Sequence, residues 1–148
     1  MSQKPENRFI DRLNDKLPIK KRRRSAKARE QHTCHMHYEK MSNPYRGGTA
    51  DSWYSGKNDI WVEFKYLPTM PVTKVVKPLE MLSTLQQEWL NERRTEGREV
   101  YVIIGCPEGG VILKDGEWNR ELTAQQFRSL VMSLTQLSEF ICQRVFEG

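Results

Sequence analysis

Residues 60–66, Ile-Trp-Val-Glu-Phe-Lys-Tyr, constrain this chain more than any other stretch. Aromatic and β-branched residues dominate it, which favours an extended strand. Side chains alternate along a strand, so Ile60, Val62, Phe64 and Tyr66 share one face and Trp61, Glu63 and Lys65 the other. Two opposite charges therefore sit together on a strand that otherwise reads as buried. Just upstream, Thr49 to Tyr54 reads as a shorter strand, and Ser55-Gly56-Lys57-Asn58 has the composition of a turn between the two.

The remaining elements follow from periodicity and punctuation. Residues 67–80 hold Pro68, Pro71 and Pro78 and read as a loop with extended segments. Residues 82–96 read as an amphipathic helix with Leu82, Leu85, Trp89 and Leu90 near one face and Gly97 as its C-cap. Residues 99–105 are a buried strand, Pro107 to Gly110 a hairpin loop, and Val111 to Leu113 the returning strand. Asp115-Gly116 is a second turn signal. One long helix is expected over 123–146, opened by Thr123 and Gln126 at capping-box spacing, with an apolar stripe from Phe127 to Ile141. The order predicts a small α/β domain with helices covering a mixed sheet.

A length of 148 residues suits one domain, and a hydrophobic fraction of 37% is enough for one core. The formal net charge of +5 is unevenly spread. Residues 1–30 hold 11 Lys/Arg against 4 Asp/Glu, and the rest of the chain holds 13 against 15. The run 20–29, with Lys20, Lys21, Arg22, Arg23, Arg24, Lys27 and Arg29, favours a polyanionic partner, nucleic acid first and an anionic membrane surface second. A run of this kind also reads as a solvated tail. Residues 1–19 read as a flexible or loosely docked arm, and 20–148 as the domain proper, entered by a helix of roughly 22–40. Three widely spaced cysteines imply no disulfide framework and fit a reducing compartment. With no apolar signal segment at the N-terminus and no run long enough for a bilayer, a soluble cytoplasmic protein with no membrane partner is expected.

The chemistry concentrates in residues 47–65. Asp51 and Glu63 can converge on one divalent cation, because a hard ion such as Mg²⁺ takes oxygen ligands and usually only one or two protein carboxylates. The Phe64 carbonyl can add a further oxygen. Lys65, on the face of Glu63, can position a water or stabilise charge on a phosphate. Glu-x-Lys also reads as a surface ion pair, and Asp51 as an ordinary turn residue. His32, Cys34, His35 and His37 fall close together, but helical spacing divides them between two faces, so a zinc site is disfavoured. Trp53, Tyr54 and Trp61 can stack on bases, with packing into the core as the commoner role for Trp61.

Gly47-Gly48-Thr49-Ala50-Asp51, Val62-Glu63-Phe64-Lys65, Leu82-Ser83-Thr84-Leu85-Gln86 with Trp89, Gly97, and Val100 to Ile104 stand in an order that resembles the PD-(D/E)XK nuclease superfamily. The style is that of the virus-type replication-repair nuclease branch (VRR-NUC), phage nucleases and Holliday-junction resolvases. The resemblance covers about residues 28–105, with Ala50 where the motif's name has Pro. It implies a restriction-endonuclease-like mixed sheet flanked by helices, and an Mg²⁺- or Mn²⁺-dependent endonuclease acting on DNA, with branched or recombination-intermediate DNA as substrate. The metal would lie on Asp51, Glu63 and Phe64. Lys65 would assist the chemistry, and a helix acid would come from Glu30, or otherwise Glu39. Gln86 would lie near the metal or Lys65, although Ser83-x-x-Gln86 is equally a helix cap, and one residue is expected to serve only one of these roles well. A symmetric junction would want a homodimer, for which the 123–146 stripe is a candidate surface. The rival readings are a non-catalytic nucleic-acid-binding or protein-inhibiting module on the same scaffold, and a basic adaptor for protein partners.

Overall fold

The computed structural model describes residues 3–19, 35–41 and 47–148. Five strands form one sheet in the order β1-β2-β3-β4-β5. They are β1 (His37–Lys40), β2 (Ser52–Ser55), β3 (Asp59–Tyr66), β4 (Val100–Cys106) and β5 (Gly109–Leu113). β1, β2 and β3 run antiparallel, with Ser52 opposite Val62 and Tyr54 opposite Ile60. β3 and β4 are parallel, with Glu63 beside Val102, and β5 returns antiparallel to β4. A parallel pair needs a crossover. Here it carries α2 (Pro78–Met81) and α3 (Thr84–Thr95). The expected mixed central sheet flanked by helices in one domain is therefore what the structure shows.

Strand alternation sends β3 and β4 side chains to opposite layers. Ile60, Val62, Phe64, Tyr101 and Ile103 pack with Phe9, Leu13, Leu137, Ile141 and Val145 on one face. Val100, Val102, Ile104 and Leu113 pack with Leu90, Trp118 and Phe127 on the other. The first face is covered by α1 (Pro5–Asn14) and α5 (Leu134–Phe146), the second by α3 and α4 (Ala124–Leu130).

Three expectations are corrected. Within residues 1–19, read as an arm, residues 5–14 form α1. Phe9, Ile10 and Leu13 make a buried helical stripe, and Phe9 lies so close to Gly105 that a Cβ there would stand 2.7 Å from its ring. The helix of roughly 22–40 does not reach 40, because residues 37–40 are strand β1. Residues 20–34, with Glu30, His32, Cys34 and the basic residues 20–29, lie outside the described residues. The single helix over 123–146 is two helices, each opened by its own capping box, Thr123 with Gln126 and Ser133 with Gln136. Between them Met132 pairs with Gly110 of β5, both backbone bonds being made at 2.8–2.9 Å. The break carries the chain around the β5 edge, so that Phe127 and Leu137 serve opposite faces of the sheet.

Candidate active site

β2 stops at Ser52, leaving the second half of β3 without an antiparallel neighbour. Asp51 fills that gap. Its backbone N–H donates to Glu63 Oε2 at 3.1 Å, and its Oδ2 accepts from the Phe64 N–H at 3.2 Å. The N–H and C=O of a strand residue leave on the same side, so the Phe64 carbonyl is directed towards Asp51. Gly48 lets the lead to Asp51 lie against α3. Its φ is +98°, and an added Cβ would meet the Leu85 carbonyl oxygen at 2.4 Å.

Glu63 is 1% exposed and fully partnered. Its Oε2 takes the Asp51 amide, and its Oε1 accepts from Gln86 Nε2 at 2.8 Å and faces Lys65 Nζ at 3.6 Å. Burial pushes the Glu63 carboxyl up to about 8, aided by the neighbouring charge of Asp51, while Lys65 and the Asp51 amide oppose the shift.

Gln86 caps α3 and also reaches Glu63. Its Oε1 accepts from the Ser83 N–H at 2.9 Å and its own N–H donates to Ser83 Oγ at 3.1 Å, completing the capping box of α3. The amide nitrogen at the other end of the same group remains free for Glu63. A carboxamide has a donor and an acceptor at opposite corners, so one residue can start a helix and orient a carboxylate together.

Of the two candidates for the helix acid, Glu30 lies outside the described residues. Glu39 lies on β1, exposed, with His37 Nε2 at 3.6 Å, and so occupies no helix. Glu6, in the first turn of α1, was not singled out from the sequence. Burial and the charge of Asp51 raise its pKa, while Lys65, Lys4 and Lys40 pull it down. It lines a cleft of about 360 Å³ together with Lys4, Lys40, Asp51 and Ser52. Pro5 at the helix start followed by an acid was the available signal, but nothing local ties residue 6 to residue 51.

The described residues contain no cluster of three or more His, Cys, Asp or Glu arranged to hold a metal. His37 is exposed on β1 with its ring against Trp53. The Asp51–Glu63 pair still suits a hard divalent ion, which needs few protein carboxylates and completes its shell with carbonyl oxygen and water. Tyr54 is buried on the opposite face, donating to Asn14 at 2.7 Å, and so takes no part on the Glu63 side. Trp61 remains half-buried, stacked on Trp53. Among the described residues no helix is long and apolar enough to cross a membrane.

No protein-family model matches the chain, and no curated protein sequence matches it. Among solved structures, the chain is similar to Hjc of Archaeoglobus fulgidus, a Holliday junction resolvase from an archaeal hyperthermophile. The identity is 15% and the TM-score 0.43, over 70% of this chain and 88% of that one.

Proposed function

We propose that the protein is a divalent-metal-dependent DNA endonuclease, selective for branched or recombination-intermediate DNA. The observation that carries this is the convergence of Asp51, Glu63 and Lys65 at the end of β2, with the Glu63 carboxylate buried and its ammonium partner 3.6 Å away. Asp51, Glu63 and the Phe64 carbonyl would hold Mg²⁺ or Mn²⁺. A divalent ion bound there supplies a water of lowered pKa and neutralises charge on the phosphate. Lys65 stabilises the charge that develops on the phosphate. Gln86 fixes the orientation of Glu63, and Glu6 takes the helix-acid role assigned from the sequence to Glu30. The run Lys20–Arg29 grips the phosphate backbone, and a homodimer presents two such sites to a symmetric junction.

The test is cleavage of linear, branched and single-stranded DNA with Mg²⁺ or Mn²⁺, comparing the wild type with Glu63→Ala. Cleavage is expected to fall to background while DNA affinity holds or rises, since a negative charge near the phosphates is lost. A folded Glu63→Ala protein that cuts at the wild-type rate overturns the proposal and leaves a binding scaffold without turnover.

A further inference from the structure

Trp61 shares a face of β3 with Glu63, two strand residues or roughly 7 Å away. Its ring stacks on Trp53 of β2, with centroids 5.7 Å apart and planes 18° apart. On its other side it meets the edge of Trp89 of α3, again at 5.7 Å. The Arg93 guanidinium lies 5.9 Å from the Trp89 ring centre. All three indoles are only half-buried, and with Arg93 and Arg98 they line an open groove of about 610 Å³. Trp61 and Trp89 pack on the apolar core beneath them, while the open side of the cluster is bordered by Arg93 and Arg98.

Arg93 pairs with Glu96 at 3.3 Å and Glu92 at 3.7 Å, surface contacts that a phosphate can displace. Arg98 makes no ion pair with a described carboxylate, and Glu99, the acid next to it, is already bonded to the Arg144 Nε at 2.5 Å. Asp59, the other acid on the groove, accepts a hydrogen bond from the Ser55 hydroxyl. Aromatic surface beside arginines, leading along a strand to a pair of carboxylates, matches the chemistry of an unpaired nucleic-acid strand. Bases offer π-faces to the indoles and phosphates offer charge to the guanidinium groups. A duplex keeps its bases stacked inside and has no use for the indoles.

We propose that this groove binds a single-stranded DNA segment and leads it to the carboxylates. This rests on the nuclease reading above and narrows its substrate to DNA with an unpaired strand next to the cut. A base lying on Trp61 is then about one nucleotide from the phosphate facing Glu63.

The test is a titration of the metal-free full chain with an oligothymidylate of about 12 nucleotides, read by quenching of tryptophan fluorescence, beside a duplex of equal length. Arg93→Glu/Arg98→Glu should weaken single-strand binding by at least about tenfold and reduce its salt slope by about 1.4, because two phosphates are no longer neutralised. Glu63→Gln should leave single-strand binding intact. Far-UV circular dichroism checks folding, and Arg98→Glu alone, in the turn after Gly97, serves if the double variant unfolds. Wild-type single-strand affinity in the folded arginine variant overturns the groove. If Glu63→Gln also abolishes cleavage, that result leaves the nuclease reading standing. Groove-dependent binding by a protein that cuts nothing supports the groove and removes the nuclease reading.

Discussion

Glu63 is fastened from three directions, and each fastening predicts a separable effect. Lys65→Ala removes a positioned positive charge and should cut the hydrolysis rate by about 10²–10³ while binding weakens slightly. Single-turnover kinetics beside a binding isotherm checks this, and an unchanged rate would make Lys65 a simple counter-ion to Glu63. Gln86→Glu keeps an oxygen acceptor at the third helical position, so the cap of α3 survives. The same change places a carboxylate where an amide donor stood 2.8 Å from Glu63 Oε1. Thermal stability should therefore fall most above about pH 8, where Glu63 is itself ionised, and melting curves at several pH values check it. Gln86→Ala loses the side-chain half of the capping box and the donor to Glu63 together, while the Ser83 hydroxyl still accepts from the N–H of residue 86, and should lower stability at every pH.

At the scale of elements, Gly48 and the α1 helix decide whether the site assembles. Gly48→Ala sets a side chain at φ +98° and drives its Cβ into the Leu85 carbonyl. A left-handed backbone alone costs about 1–2 kcal/mol for a residue with a Cβ, so denaturant unfolding should show a larger loss than that. A stability equal to wild type would mean that the lead to Asp51 is not packed against α3. The sheet was legible because its strands obey a simple period. β3 is read as Ile60–Tyr66 and found as Asp59–Tyr66, with the predicted residues on each face. The contacts among Asp51, Glu63, Lys65 and Gln86 follow from the same period, since each residue sits at a fixed distance from a strand or a cap. Glu6 was not, because its relation to Asp51 is made only when α1 folds back onto the sheet. The split in the last helix was written in Ser133 and Gln136, but the continuous apolar stripe concealed that its two halves bury on opposite faces.

For the whole molecule, the raised Glu63 pKa links stability to pH and to metal. The folded carboxyl keeps its proton to about 8, whereas the usual carboxyl releases it near 4.5. Stability from this source is complete below the lower value and is lost as pH rises through the higher one, on the order of a few kcal/mol across the window. Metal-free protein should therefore lose melting temperature between those limits, and Glu63→Gln should not. On the proposed reading, a cation held by Glu63 would displace the proton, and the Mg²⁺-induced rise in Tm should then grow with pH. Differential scanning calorimetry at several pH values checks it, and an Mg²⁺ effect equal in Glu63→Gln would place the ion elsewhere.

The meeting of α1 with α5 on one face of the sheet has a consequence for synthesis on the ribosome. Phe9 and Leu13 belong to the same core as Leu137 and Ile141, so the earliest described helix is finished by the latest one. While residues 134–146 are still inside the exit tunnel, β2 and β3 have emerged with Tyr54, Ile60 and Phe64 unroofed on that side. Domains settle as units during translation, and exposed apolar surface in the interval invites aggregation. The nascent chain thus passes through a stage at which its sheet can form but its lid cannot, and that is where a chaperone would find most to hold.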